Sequence, residues 1–256
     1  DIFKNNFLKM LLKLPFDMSY KSANKVISLG PVMTNILLSK GVKKNNIKQI
    51  SNWASGINKF QNYKKIFSKD SPLKITYTGN LGIAHEIKTI LKAAARFKKN
   101  NSKIKFLFAC EGQRVKELNY LVKKLNISSI VEVREILLAS EFDLFIKNSD
   151  ISLVSINEGY QGLVVPSKAI GLMARGIPIL YIGPESDINT LLKSSNSGIC
   201  FKIGEDLKIF NYLKSISNNK TFLNQMSKNS KSYYDKFLTY EKAKKEYLKI
   251  FQEILS

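Results

Sequence analysis

Histidine, cysteine and arginine are all scarce in this sequence of 256 residues. His85 is the one histidine, and Cys110 and Cys200 are the two cysteines. No CxxC pair and no Cys/His cluster occurs, which argues against a structural metal. Each cysteine sits in an apolar, strand-like run and reads as a buried free thiol of a reducing compartment. No apolar run approaches the roughly 20 residues that cross a bilayer. No stretch combines the basic start, apolar middle and small-residue cleavage site of a signal peptide. The sequence opens on Asp1 rather than Met, and the expectation is of a processed, trimmed or partial protein.

The shortage of arginine qualifies the charge. Lysine and arginine total 41 against 20 acidic residues, a formal net charge of +21. Yet Arg96, Arg114, Arg134 and Arg175 are the only arginines. Specific readers of bases and phosphates favour the planar fork of arginine. The lysines are spread along the chain among Asn, Ile and Ser. Compositional bias and attraction to an anionic membrane surface, at about 1 kcal/mol per nearby lysine, are the two readings kept. A dedicated nucleic-acid binder would need surface aromatics interleaved with arginines, and the aromatics here fall mostly at core positions.

Residues 1–20 alternate basic and apolar positions, as an amphipathic helix ending near Pro15 would. Short strands are expected at 25–30 and within 45–56, around a helix over 31–42 that has Pro31 at its start and Gly41 at its end. The lysine-rich stretch 57–72 has no apolar period and reads as a linker. From 73 the rhythm becomes regular. Strands are expected at 73–78, 103–110, 130–135, 151–156, 177–183 and 198–204. Helices are expected at 83–98, 113–125, 139–148, 167–175, 187–194 and 205–216, and a last one at 239–255. Its stripe is Tyr240, Ala243, Tyr247, Leu248, Phe251 and Leu255. Strands that are continuously apolar and alternate with helices imply an α/β fold, a parallel sheet covered on both faces. Six such units fit a doubly wound, Rossmann-like domain.

In open α/β sheets ligands bind at the carboxyl ends of the strands, so the loops that follow strands carry the chemistry. Gly79-Asn80-Leu81-Gly82 is either an ordinary tight turn or a phosphate loop ahead of a helix N-terminus. Gly112 opens the next helix, with Arg114 in its first turn. Arg134 and Glu135 follow the third strand. The richest loop is 157–180. There Glu158 follows a buried strand, Gly159 and Gly162 keep the chain close to a ligand, and Pro166-Ser167-Lys168 starts a helix. A hydroxyl, backbone N–H groups and an ammonium converge there on a phosphate-sized position. The plain alternative is a capped helix with a solvated lysine. Glu185, at the start of the 187–194 helix, either meets hydroxyls or complements the helix dipole. Two helix N-termini and several carboxylates suit a nucleotide-sugar, with a diphosphate in the middle and hydroxyls at the ends.

The stretches "TGNLGIAHEIKTILKAAARF", "FLFACEGQRVKELNYLVKKL", "SDISLVSINEGYQGLVVPSKAIGLMARGIPILYIGPESDINTLLKSSNSGI" and "YDKFLTYEKAKKEYLKIFQEIL" resemble, in that order, the C-terminal half of GT-B glycosyltransferases of the family 4 type. The bacterial surface-polysaccharide enzymes of the fucosamine and colanic-acid kind are the most similar branch. Residues 20–56 are similar to the end of that family's N-terminal domain. The resemblance implies residues 1–56 as the end of a truncated acceptor domain and 57–72 as a linker. It implies 73–238 as the Rossmann-like nucleotide-sugar domain and 239–256 as a helix packing back toward the N-terminal part.

The resemblance also implies roles. Gly79, Asn80, Leu81, Gly82, Ser167 and Lys168 would hold the donor diphosphate. His85 would reach a phosphate or sugar oxygen, and with Glu158 it is the catalytic candidate. Arg134, Glu135, Gly112 and Arg114 would line the base and ribose. Glu158, Gly159, Gln161, Gly162 and Glu185 would contact the sugar. Many family members carry two glutamates across this loop and helix, and the alignment places Leu163 and Gly171 at those positions. The implied activity is transfer from a nucleotide-sugar, UDP-linked by default, to a lipid-linked or polysaccharide acceptor. It would take place at the inner face of a bacterial membrane, without a metal or other cofactor and without nucleic acid. A non-catalytic partner, or one chain of a split enzyme that needs a separate acceptor chain, is the competing class.

Overall fold

The computed structural model describes residues 15–54, 67, 71–98, 103–163 and 167–255. The expected amphipathic helix over 1–20 and the linker at 57–72 therefore lie largely outside the described residues, as does Pro166. Residues 15–22 are helical (α1). There follow β1 (Val26–Ser28), α2 (Pro31–Ser39) and β2 (Ile47–Gln49). A regular alternation then runs through β3 (Leu73–Asn80), α3 (Lys88–Phe97), β4 (Ile104–Glu111), α4 (Val115–Lys124), β5 (Val131–Arg134), α5 (Ala139–Lys147) and β6 (Ile151–Ser155). It continues through α6 (Ser167–Ala174), β7 (Ile179–Ile182), α7 (Asp187–Ser195), β8 (Gly198–Phe201) and α8 (Asp206–Asn218), ending with α9 (Thr221–Phe237) and α10 (Tyr240–Leu255).

β3 to β8 form one parallel sheet in the order β5-β4-β3-β6-β7-β8. The first three strands fill one half and the last three the other, so the order reverses between β3 and β6. This is the doubly wound arrangement, and its ligand crevice lies at the carboxyl ends of the two central strands. Burial shows why the strands read as unbroken apolar runs. Leu153, Leu180 and Ile182 pack on one face with α3, α4 and α8. Their neighbours Val154, Ile179 and Tyr181 pack on the other with α6, α7 and the end of α9. Alternate side chains enter opposite cores, so neither face of these strands has a polar requirement.

β1 and β2 form a separate parallel pair. Ile50 and Ile27 pack on Ala243, Tyr247 and Ile250 of α10, and Lys25 and Lys48 reach Glu253 at 3.4 and 3.5 Å. The apolar stripe expected on α10 needs correction. Ala243 and Tyr247 face the packed side with Ile250, whereas Tyr240, Leu248, Phe251 and Leu255 are exposed.

Two further differences have local causes. The helix expected from 83 begins only at Lys88, because Glu86 turns its carboxylate onto the backbone N–H of Thr89 at 3.0 Å and caps it there. α9 was not anticipated. Its buried stripe of Leu223, Met226, Ser230 and Tyr234 contains a serine and is diluted by Lys and Asn on the outer face. Cys110 is buried as expected, but Cys200 is only half-buried.

Candidate functional site

The two central strands end beside one another, and their loops build the site. β3 continues through Gly79 and Asn80 rather than stopping before them. Gly79 has φ +101, a conformation that a side chain would strain. The loop beyond is tied down from both sides. Leu81 N–H donates to Glu111 O at 2.6 Å, and Arg114 N–H donates to Leu81 O at 3.1 Å. A Cβ on Gly112 would meet Asn80 Oδ1 and come to 3.0 Å from the backbone N and O of Leu81. Gly112 is therefore required by packing under Asn80 as well as by its φ of +113. Leu81 is fully buried and contributes apolar packing, not a polar contact.

His85 sits in the loop ahead of α3, not in a helical turn. Its Nδ1 is 2.9 Å from Ser155 O at the end of β6. A carbonyl only accepts, so Nδ1 carries the proton and Nε2 keeps a free lone pair. Burial holds the imidazole below its usual pKa, and Lys168 and Arg114 push in the same direction. The neutral ring meets Tyr77 edge-on, with centroids 5.9 Å apart. Asn157 Nδ2 donates to Ile83 O at 2.7 Å and to His85 O at 3.1 Å, so the loop after β6 is stitched to the loop after β3. Arg114 also donates to His85 O and pairs with Glu117 at 2.7 Å. Its guanidinium braces the loop.

Lys168, in the first turn of α6, is the central charged group. The residue is half-buried, but its Nζ is closed off from solvent and has no hydrogen-bond acceptor among the described residues. It lies 3.7 Å above the centre of the Tyr77 ring, a cation–π contact that a desolvated ammonium favours. Burial lowers its pKa to about 7, against a smaller opposing influence of Cys110. Burial likewise pushes the Cys110 thiol up to about 11. Two further orphaned polar atoms lie along the same segment, Ser155 Oγ at the end of β6 and Gln161 Oε1 in its loop. Buried polar groups are rarely left without partners.

Lys168 helps line a cavity of about 690 Å3, walled also by Thr78, Gly79, Ser167 and the α5 residues Phe142 and Asp143, together with Ile136, Leu137 and Arg175. Gly79, Ser167 and Lys168 are thus brought together from segments almost ninety residues apart in sequence.

Other candidates are placed elsewhere. Arg134 and Glu135 are exposed, with Arg134 lying over the Phe145 ring at 5.9 Å. The cavity wall is formed by the next two residues, Ile136 and Leu137. Glu158 and Gly159 are exposed, and Gly162 is buried against Ile36 and Val32 of α2. Glu185 is exposed. The start of α7 is served instead by Asn189, which accepts from Ser186 N–H at 2.8 Å. Among the described residues, no group of three or more His, Cys, Asp and Glu side chains could hold a metal ion.

Tyr77, Ser155, Asn157, Asp143 and Arg175 were not singled out from sequence. Tyr77 reads as an ordinary strand aromatic, and only the fold sets Lys168 on its ring. Asp143 and Arg175 lie on different elements, and no spacing signals their pairing.

Comparison with known proteins places this arrangement. The family described as Glycosyl transferases group 1 matches residues 58–233. The probable glycosyltransferase WbjE of Pseudomonas aeruginosa is 28% identical over 192 residues, which are 70% of this chain and 46% of WbjE. The chain therefore spans less than half the length of that relative. Among solved structures, HepE of Anabaena in complex with UDP and glucose superposes with a TM-score of 0.78 at 12% identity, over 96% of this chain and 67% of HepE. TarM gives 0.75 at 16% identity, over 93% of this chain and 45% of TarM. These are GT-B glycosyltransferase structures, and the parallel sheet with helices on both faces matches theirs.

Proposed function

The chain belongs to the Glycosyl transferases group 1 family, and we propose that it forms the donor-binding half of a glycosyltransferase that takes its sugar from a nucleoside diphosphate. The observation that carries this reading is the buried, acceptor-free ammonium of Lys168, beside Ser167 and Gly79 in a cavity of nucleotide size. A cation held in that state is stabilised by an arriving diphosphate, to which it supplies a charge-assisted hydrogen bond. The N–H groups at the start of α6 add a partial positive charge. Together these groups would offset charge on the leaving diphosphate without a metal ion. The orphaned Gln161 Oε1 is an acceptor suited to a sugar hydroxyl.

The finer reading is a family 4 enzyme of bacterial envelope polysaccharide assembly. It would take a UDP-sugar and pass the sugar to a lipid-linked or saccharide acceptor at the inner membrane face. The UDP in the HepE structure supports this choice of donor, and the match to WbjE supports sugar transfer. The net charge of +21 suits an anionic membrane surface. No helix among the described residues is long and apolar enough to cross a membrane.

Calorimetric titration with UDP, UDP-sugars and GDP tests the reading, with Lys168→Ala in parallel. Binding in the micromolar range, on the order of −8 kcal/mol, that weakens at least tenfold in Lys168→Ala is the expected result. Absence of binding by any of these nucleotides defeats it. A second reading, a partner that binds the nucleotide-sugar without turnover, is favoured by the exposure of Glu158 outside the cavity wall. Binding without release of UDP from any UDP-sugar, even with acceptor extracts present, would select it.

A further inference from the structure

Among the described residues the cavity has one carboxylate in its wall, Asp143, and we propose that Asp143 reads the ribose hydroxyls of the nucleotide; this rests on the nucleoside-diphosphate reading above. Three observations place it. The first is position along α6. Lys168 marks the phosphate end of the cavity. Arg175 reaches back to donate to Gly171 O at 3.1 Å, which sets its guanidinium level with a residue three positions beyond Lys168. Three residues of helix advance the axis by ~4.5 Å. Arg175 holds Asp143 at that level, through Nη2 at 3.2 Å and Nε at 3.4 Å. A nucleotide with its diphosphate on Lys168 has its ribose there, one step before the base.

The second observation is the company Asp143 keeps. Ile136, Leu137 and Phe142 wall the cavity on its side. They offer an apolar slot for a flat base and no polar side chain for a sugar ring. The only polar groups a nucleotide presents between its phosphates and its base are those of the ribose. A carboxylate accepts from two O–H donors at once, which matches a vicinal diol.

The third observation is how the carboxylate is held. Both Arg175 contacts fall on Oδ1, and Oδ2 accepts no hydrogen bond among the described residues. The Arg175 side chain is 9% exposed, pinned by Gly171 O and lying over the Phe142 ring at 5.1 Å, whereas 26% of the Asp143 side chain remains open. Arg175 fixes the rotamer and offsets the charge, so that Asp143 does not repel the diphosphate.

The test compares UDP, GDP and ADP with their 2′-deoxy counterparts on wild type, Asp143→Ala and Asp143→Asn. Inorganic pyrophosphate serves as the probe of the phosphate end. Wild type is expected to bind the best ribonucleotide about tenfold or more tightly than its deoxy form, the size of one hydrogen bond to a charged group. In Asp143→Ala that ratio is expected to fall toward one while pyrophosphate affinity holds. Asp143→Asn is expected to retain part of it. A wild type that binds both forms equally, or an Asp143→Ala that keeps the full ratio, overturns the proposal and leaves the donor reading standing. A wild type that binds neither nucleotide nor pyrophosphate overturns both. If Asp143→Ala melts far below wild type, the Asp143→Asn ratio and the wild-type comparison decide. A purely structural ion pair would lower the melting temperature without changing the ribose-to-deoxyribose ratio.

Discussion

The carboxylate of Asp187 accepts a hydrogen bond from the backbone N–H of Val32, 155 residues away, at 2.7 Å. Its other oxygen is 3.4 Å from Met33 N. Asp187 is the first residue of α7, yet it caps α2, whose own N-cap position is Gly30 and offers no side chain. One carboxylate thereby complements two helix N-termini and joins the β1–β2 unit to the six-stranded sheet. A cavity of about 130 Å3 lies beside this contact, between Pro31 and Leu191.

Asp187→Ala should lower stability by about 1–2 kcal/mol, the size of a lost cap, and Asp187→Asn by less. Urea unfolding followed by circular dichroism measures both. No difference between wild type and Asp187→Ala would remove the clasp as a stabilising contact.

Lys168 gives a signed pH dependence. Its folded pKa of about 7 lies below the ordinary lysine value, so the unfolded chain binds more protons between about 7 and 10. The stability of the unliganded protein should rise with pH through that window, with the full penalty present below pH 7. Lys168→Met should flatten this rise and raise the melting temperature at pH 7, by about 2–4 °C per kcal/mol recovered. Nucleotide binding works in the opposite sense. A diphosphate favours the ammonium, so at pH 8 binding should take up a proton, seen as a buffer-dependent heat in calorimetry.

The His85 imidazole is held below its usual range by burial. The folded state resists a proton that the unfolded state accepts near pH 6.5, so this contribution is present above about pH 6.5 and declines as pH falls below it. Nitrogen NMR should show the proton on Nδ1 and a bare Nε2 at pH 7. A protonated Nε2 would contradict the Ser155 contact.

At the opposite end of the sheet, Lys220 is 3% exposed and reaches Ser71 O at 3.0 Å, Pro72 O at 3.4 Å and Asp150 Oδ2 at 3.3 Å. Asp150 Oδ2 also accepts from Lys74 N–H at 2.9 Å. Lys220→Met should cost about 3 kcal/mol because it removes the buried ammonium that Asp150 and the carbonyls of Ser71 and Pro72 share. Thermal melting measures this, and nucleotide affinity should stay unchanged in the variant.

Much of the fold is legible in the residues. The runs at 73–80 and 151–155 have no polar period because both faces of their strands are covered, and that alone implies a parallel sheet with helices on each side. Ser167-Lys168 at the start of α6 is likewise legible as a helix N-terminus, the local feature on which the proposed phosphate contact rests. α9 was not legible, because its buried stripe contains a serine and its outer face is heavily polar. The start of α3 was misplaced because a buried Glu86 cap outweighed the apolar pattern before it. Ile136 and Leu137 line the cavity while the charged Arg134 and Glu135 beside them stay exposed, and an apolar slot leaves no local mark in a sequence.

Hydrophobic periodicity and the placement of Gly, Pro and capping residues are local quantities, and by themselves they determined the alternation of strands and helices from β3 to α8. Only the tertiary structure decided that β3 stands beside β6, and with that the cavity itself. The same packing set Lys168 on the Tyr77 ring, paired Asp143 with Arg175 across two helices and laid Asp187 over the start of α2. These contacts follow from the order of strands in the sheet. That order comes from burying two whole faces at once, a property of the packed chain that no single segment carries.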